Sequence, residues 1–385
     1  MAILDPIALA QALIRCPSVT PKDEGALTVL ENTLKPLGFT CHRLSFEEPE
    51  TDRIENLYAR IGTGAPLFCF AGHSDVVPPG GQWKNDPFGA EIRDGLLYGR
   101  GAADMKTGIA AFAAAASRHL AKGATGSIAL LITGDEEGVA INGTRKVLDW
   151  LKDRGERLDH CIVGEPTSVA SVGDTIKIGR RGSMNLLVTV KGTQGHVAYP
   201  AKAHNPISAL AELVTRLSNR IFDKGTEYFD PSTLAFTSFD VGNPATNVIP
   251  AEARAAFNVR FNDLHTPDSL MQLLQGEAAA IVGETGCQIV LEPSVSGTAF
   301  VTKPGRFVEL IAKTVENITG KAPEHSTSGG TSDARFIKDH CPVIELGLPG
   351  ATMHKTDECA AVVDIERLTD IYEAILDAYF ANPPQ

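Results

Sequence analysis

The stretch IALLITGDEEG, residues 128–138, runs an apolar segment directly into three consecutive acids, Asp135, Glu136 and Glu137. A short run that is apolar on both faces fits a fully buried strand, and such strands belong to parallel sheets covered by helices on both sides. Three adjacent carboxylates at its end repel one another and raise each other's pKa. A solvated turn tolerates that arrangement, and a bound cation relieves it.

Outward from this stretch, helix and strand signals alternate. Asp5-Pro6 is a cap followed by a first-turn proline, opening a helix with Leu9, Leu13 and Ile14 on one face, and a second helix runs to Leu37 and stops at Gly38. Apolar strands at 67–71 and 128–133 flank a helix over 105–120, whose run GIAAFAAAA is small enough for close packing on a sheet. CIVG, ending at Gly164, is a further buried strand. The pattern predicts an α/β domain with a largely parallel, mixed sheet. From 182 to 293 the period changes: Ala253, Ala255, Phe257, Val259 and Phe261 alternate with Arg254, Asn258 and Arg260, as in a sheet with one buried face. The order strand 184–191, helix 206–221, strand 233–241, strand 252–261, helix 267–283, strand 286–292 is the ferredoxin-like β-α-β-β-α-β pattern, with Pro206 and Pro267 in helix first turns. The α/β grammar then resumes with a helix at 305–319, the strand PVIELG and a helix at 365–380. Two domains are predicted: a discontinuous α/β domain over 1–181 and 294–385, and an inserted α+β domain over 182–293 whose free sheet face or edge is a candidate homodimer surface.

Composition narrows the function classes. The chain has 385 residues, 43% hydrophobic and 21% charged, with net charge −12 and no Lys/Arg block, which argues against nucleic acid or an anionic membrane as the main partner. Residues 1–15 lack a basic n-region and a small-residue cleavage site, and no apolar run approaches the roughly 20 residues that span a bilayer, so a cytoplasmic protein is expected. Seven scattered cysteines without CxxC spacing indicate reduced thiols rather than disulfides or a zinc ribbon. The acidic cluster SFEEPETDRIEN at 45–56 is expected to be a solvated loop or edge.

Four more stretches place chemistry where α/β strands end, the position at which open sheets hold ligands. FCFAGHSDVVP ends a strand with His73 and Asp75, YGRGAADMKTG puts Asp104 at a helix start, CIVGEPT ends a strand with Glu165, and LPGATMHKTDE follows a strand with His354. Any one of these fits an ordinary hydrogen-bonded or solvated side chain. Together they offer nitrogen and oxygen ligands without thiolate, which suits catalytic zinc, cobalt or manganese. Gly99-x-Gly101 before a helix also suggests a nucleotide turn, but Asp104 stands where the third glycine belongs and GK[ST] is absent. No GxSxG supports a serine hydrolase.

In this order, GHSDVVP, GRGAADMKTG, TGDEEG, GEPT, TQGHVAYP and MHKTDE resemble the signature of the dinuclear zinc M20 peptidases and deacylases, over essentially the whole chain. The resemblance implies a zinc-peptidase-like catalytic domain, an inserted dimerisation domain and two Zn2+ per subunit, replaceable by Co2+. It implies that His73, Asp104 and Glu165 bind one zinc and that Asp104, Glu137 and His354 bind the other, with Asp104 bridging. Asp75 matches the acid that orients His73, accepting its second imidazole N–H. Glu136 matches the general base acting on a zinc-bridging water and returning the proton to the leaving amine, and His196 matches a histidine supplied across the dimer to the oxyanion.

Within the family, RRGS at 180–183, PATNVIP at 244–250 and SGGTSDARF at 328–336 resemble a branch that hydrolyses the succinyl amide of a small substrate carrying several carboxylates. Arg180, Arg181, Asn247, Arg260, Gly330 and Thr331 are the corresponding substrate-binding candidates, guanidinium being suited to bidentate carboxylate binding. Without the resemblance, Arg254 and Arg260 equally fit the solvent face of an amphipathic strand. One departure stands out: Gly350 occupies the position, four residues before His354, where the branch carries Asn. Deacetylases, aminoacylases and carboxypeptidases of the same family are the nearest alternatives. A metal-stabilised binding protein is the alternative from another class, and it leaves no purpose for a base at Glu136.

Overall fold

In the computed structural model, which describes residues 3–384, the helix Pro6–Ile14 begins as its cap predicts: Asp5 Oδ1 accepts the backbone N–H of Ile7 at 2.8 Å and of Ala8 at 3.2 Å. The second helix, Ala26–Leu34, tightens into a 3-10 turn over Lys35–Leu37 and stops where Gly38 adopts φ 94°. Contacts divide the chain into two compact units. The first runs to Ile178 and resumes over Thr302–Ser326 and from Ser332 onward; the second comprises Gly179–Val301 and Thr327–Thr331.

The first unit is built on an eight-stranded sheet. Its centre is Ser127–Thr133, Leu67–His73, His160–Val163 and Val343–Glu345, all mutually parallel, with Phe70 opposite Leu130 and Ile162, and His73 opposite Thr133. Every residue of the first two of these strands is buried. Parallel alignment brings their carboxyl ends to one edge, so the residues that follow Thr133 and Val163 emerge beside His73. The sheet is mixed at its margins, where Thr40–Phe46 and Ile54–Ile61 add an antiparallel ribbon and Thr175–Lys177 pairs antiparallel with Val343–Glu345. The loop between the ribbon strands carries the acids Glu47, Glu48 and Glu50 as expected of a solvated loop, but the expected stretch 45–56 ends inside the strand Ile54–Ile61, where Ile54 and Asn56 are buried.

Against this sheet lies the helix Lys106–Ala121, whose alanines from Ala110 to Ala116 are buried together with Phe112. Phe112 stacks on Phe70 at 4.4 Å between centroids and meets Tyr372 of the helix Val362–Ala381 edge-on at 5.6 Å. Removing that ring would leave a cavity costing about 3–5 kcal/mol.

The second unit is an antiparallel sheet in the order Thr233–Asp240, Glu252–Phe261, Gly182–Lys191, Gln288–Gly297, with helices Pro206–Ser218 and Pro267–Thr285 contributing to its core. Numbered within the unit, that order is 2-3-1-4, the ferredoxin-like arrangement. Thr266 closes a capping box with Ser269, and Pro267 occupies the first turn. The unit extends beyond 182–293 because Gly179–Arg180 pairs antiparallel with Phe300–Val301, and because Thr327–Thr331 returns to it. All seven cysteines are free thiols. Among the described residues no helix is long and apolar enough to cross a membrane.

Candidate metal centre and active site

The three acids that follow Thr133 diverge. Asp135 turns inward and is buried, its Oδ2 accepting the backbone N–H of Ile141 at 2.9 Å and of Asn142 at 3.0 Å. That leaves Glu136 and Glu137 to face the sheet edge. Asp75 holds their backbone: its carboxylate accepts the N–H of Glu136 at 3.3 Å and of Glu137 at 3.1 Å, and the hydroxyl of Thr20 at 2.6 Å. The acceptor for His73 Nδ1 is the backbone carbonyl of Asp75 at 2.9 Å, while the Asp75 carboxylate stands at 3.7 Å. The expected carboxylate–imidazole hydrogen bond is therefore replaced by a carbonyl, because the carboxylate is committed to the Glu136–Glu137 turn.

Around His73 the separate stretches converge. Its Nε2 lies 3.2 Å from Asp104 Oδ1 and 3.7 Å from Glu165 Oε1. His354, in the left-handed region at φ 60°, places Nε2 2.9 Å from Glu137 Oε1 and 3.4 Å from Asp104 Oδ2. Two sets of ligand atoms lie within 4.8 Å of one another: His73, Asp104 and Glu137, and His73, Glu136 and Glu165. All six expected participants thus meet in one cluster, with Asp104 touching both histidines. The geometric sets divide the acids differently from the two sets of three that the resemblance implies.

The electrostatics suit divalent cations. Burial pushes the Glu165 carboxyl well above its ordinary range, with repulsion from Asp104 and Glu136 adding. Glu136 is pushed up to about 8, first by burial, against the opposing pull of His73, and then by Asp333, Glu137 and Asp104. Burial alone would lower the His73 imidazole, but Asp104 and Glu165 outweigh it and hold it well above 6.5. Donation to the Asp104 and Glu137 carboxylates holds the His354 imidazole up, to about 10. Asp104 is held below its usual range despite burial, because both histidines donate to it. Glu165 Oε1 is buried without a hydrogen-bond partner. An orphaned oxygen on Glu165, whose carboxyl like that of Glu136 is raised by burial and by neighbouring acids, is the environment a divalent cation satisfies, displacing the protons. The residues fit the metal.

In the second unit Arg180 is buried and its Nη1 donates to the carbonyls of Ser328 at 3.3 Å and Gly330 at 3.2 Å, shaping the loop that carries Gly330 and Thr331. Gly329 within it has φ 102°, and a Cβ there would stand 2.5 Å from that guanidinium nitrogen. Arg181 and Arg260 behave differently. Arg181 Nε and Arg260 Nη1 are buried without hydrogen-bond partners, and burial together with the Arg181 charge lowers the Arg260 pKa. Arg254 on the same strand is exposed and bonded to Glu252 at 2.7 Å. The strand thus separates one ordinary surface arginine from one whose guanidinium is partly buried with a nitrogen unbonded. His196 and Asn247 are exposed on a short ribbon in which His196 is opposite Val248; the ring Nδ1 of His196 accepts the N–H of Ala198 at 3.1 Å, and Val197 donates to the Asn247 carbonyl at 3.1 Å.

Sequence reasoning passed over Thr20 and Asp333. Asp333 is buried, accepts the Thr144 hydroxyl at 2.6 Å, and is pushed up to about 6 mainly by burial. Its position inside SGGTSDARF was the available signal; Thr20, 55 residues from the Asp75 it serves, offered none.

The chain is similar to known proteins in sequence and in fold. Residues 69–378 match the model of peptidase family M20/M25/M40. The succinyl-diaminopimelate desuccinylase of Rhodospirillum centenum is 58% identical over 98% of this chain and 98% of its own, and that of Parvibaculum lavamentivorans is 58% identical over 98% and 96%. Among solved structures, aminopeptidase PepT from Bacillus cereus superposes with TM-score 0.80 at 20% identity, covering 99% of this chain and 100% of that one. The Bacillus subtilis YXEP protein, described as a dinuclear metal-binding peptidase, gives 0.71 at 17% identity over 97% and 96%.

Proposed function

The chain belongs to peptidase family M20/M25/M40 and is an amide hydrolase, and from that premise we propose that it removes the succinyl group from N-succinyl-LL-2,6-diaminopimelate, giving LL-diaminopimelate and succinate on the route to lysine. The observation that carries the chemistry is the meeting of His73, Asp104, Glu136, Glu137, Glu165 and His354 with an unpartnered Glu165 oxygen among them. Full-length 58% identity to desuccinylases supports the substrate.

A divalent metal cofactor suits the site, and two zinc ions are the reading we adopt. His73, Asp104 and Glu165 would hold one and Asp104, Glu137 and His354 the other. Such cations, when bound, polarise an amide carbonyl and make water acidic. Glu136 accepts the proton of the attacking water and hands it to the departing amine nitrogen. Asp75 fixes the turn on which that carboxylate rides. Arg181 and Arg260, each with a guanidinium nitrogen lacking a partner, bind substrate carboxylates, and Asn247, Gly330 and Thr331 add polar contacts.

We take the second unit as the site of homodimerisation and His196 as acting across the dimer on the developing oxyanion. Exposed Phe239, Val290 and Val295 on its outer strands support the surface. Mixing the His196→Ala and Glu136→Gln proteins should restore activity in heterodimers if His196 serves the partner's site. We assign the enzyme to the cytoplasm.

The deciding experiment titrates zinc into metal-free protein while assaying N-succinyl-diaminopimelate and N-acetylornithine in parallel. Metal-dependent turnover of the succinylated amine is expected. Turnover of N-acetylornithine alone would overturn the substrate assignment.

A further inference from the structure

Glu358 closes the motif MHKTDE and is fully buried. Four donors converge on its carboxylate. Oε2 accepts Arg100 Nη1 at 2.6 Å and the backbone N–H of Gly101 at 3.2 Å, and Oε1 accepts the backbone N–H of Ala103 at 2.8 Å and of Asp104 at 3.1 Å. Its own backbone carbonyl accepts the N–H of Gly99 at 2.9 Å. One residue therefore gathers the turn GRGAAD, which delivers Asp104.

Local structure explains how the two segments meet. Leu96–Tyr98 pairs antiparallel with Cys359–Ala361, Tyr98 opposite Cys359, so the chain leaving Tyr98 must pass Glu358. Gly101 has φ 86°, and a Cβ there would stand 2.8 Å from Val76 Cγ1, so glycine lets the turn close around the carboxylate. Arg100 is 2% exposed; its Nη2 donates to the Pro79 carbonyl at 3.0 Å, and its guanidinium stands 5.3 Å from the Trp83 ring centroid.

We propose that Glu358 is a positioning residue that fixes the Asp104 carboxylate between His73 and His354. Three of its four side-chain donors are backbone N–H groups of the Asp104 turn, whereas a buried ion pair serving stability alone would need only Arg100. Glu358 also lies four residues beyond His354, so one side chain ties together the segments bearing both ligands. Both carboxylate oxygens are used twice, which an amide cannot reproduce, because its NH2 would face two donors. The inference rests on the proposed reading of Asp104 as the ligand shared by two cations.

The test compares zinc affinity, by competition with a chromophoric chelator, in wild type, Glu358→Gln, Arg100→Lys and a control, Asp377→Asn. The control removes a carboxylate that bonds His119 at 2.6 Å and Lys122, remote in role from the metal ligands. Glu358→Gln is expected to weaken zinc binding roughly 10–100-fold and to lower kcat at saturating zinc by a similar factor with KM unchanged. Asp377→Asn is expected to lower the urea midpoint and leave zinc affinity intact. Arg100→Lys keeps a cation without the guanidinium fork and is expected to lose zinc affinity to a smaller degree; it decides the matter if Glu358→Gln does not fold. Wild-type zinc affinity in folded Glu358→Gln, or in Arg100→Lys where that protein must decide, overturns the inference. A wild-type protein that binds no zinc would instead overturn the proposed function, and with it this role for Glu358.

Discussion

Asp75 Oδ2 lies 3.1 Å from the backbone nitrogen of Glu137, and the same carboxylate stands 3.7 Å from the His73 ring nitrogen nearest to it. The acid beside the histidine thus acts chiefly on the glutamate turn, and the His73 tautomer is fixed by a backbone carbonyl. In Asp75→Asn the amide NH2 would oppose a backbone N–H of Glu136 or Glu137, or the Thr20 hydroxyl. Activity should fall roughly 10–100-fold, mainly in kcat, with the His73 carbonyl contact preserved. Thr20→Val, which removes one donor to Asp75 and leaves the acid in place, should produce a smaller loss of the same kind. Steady-state kinetics of both variants check this; a Thr20→Val loss expressed wholly in KM would contradict it.

Glu136 and Glu137 are adjacent, but only Glu137 bonds His354, at 2.9 Å. Replacing Glu136 by Gln should therefore lower kcat by roughly 10²–10⁴-fold while leaving metal stoichiometry at the wild-type value. Glu137→Gln should lose bound metal as well as turnover. Metal analysis after gel filtration, paired with kinetics, separates the two. Equal metal loss in both variants would reverse the assignment.

The contrast between these glutamates marks how far sequence carried. The strand Ser127–Thr133 was legible because it is apolar on both faces, the helix opening at Pro6 from its Asp5 cap, and the helix opening at Pro267 from that first-turn proline. Thr40–Phe46 was not, because an edge strand paired on one side is half-exposed and carries no clean period. Thr175–Lys177 and Glu324–Ser326 span too few residues for any periodicity to show. Histidines and acids suited to a metal were visible where strands end, whereas what supports them was hidden: Glu358 bonds residues 254 to 258 positions away, a relationship only the folded chain creates.

Without metal, the centre should make the protein less stable as pH rises. The Glu136 carboxyl goes from 4.5 to about 8 on folding, and the His354 imidazole from 6.5 to about 10. Both folded-state values are raised, so each group binds its proton more tightly in the folded chain. The stability from Glu136 is fully present below about 4.5 and is lost as pH rises through about 8; that from His354 is present below about 6.5 and is lost toward about 10. Urea midpoints of metal-free protein should decline across roughly pH 5 to 9, and the extra stability conferred by zinc should grow over the same interval as protons cease to compete. Metal-free midpoints that climb with pH would refute this.

Arg181 and Arg260 repel each other, and each keeps a buried guanidinium nitrogen without a partner. Such an arrangement costs stability in the free enzyme and is relieved by an anion between or beside the two charges. Arg260→Met preserves much of the side-chain volume and removes the repulsion, so the ligand-free protein should unfold at higher urea. On the proposed substrate-binding role, the same change should raise KM for the succinylated amine roughly 10–100-fold with little change in kcat. Arg254→Met alters an exposed side chain already bonded to Glu252 and should leave KM unchanged. Stability and affinity moving in opposite directions for Arg260, and neither moving for Arg254, is the expected pattern. A KM increase of equal size in both variants would show that long-range charge, rather than a carboxylate seat at Arg260, draws the substrate.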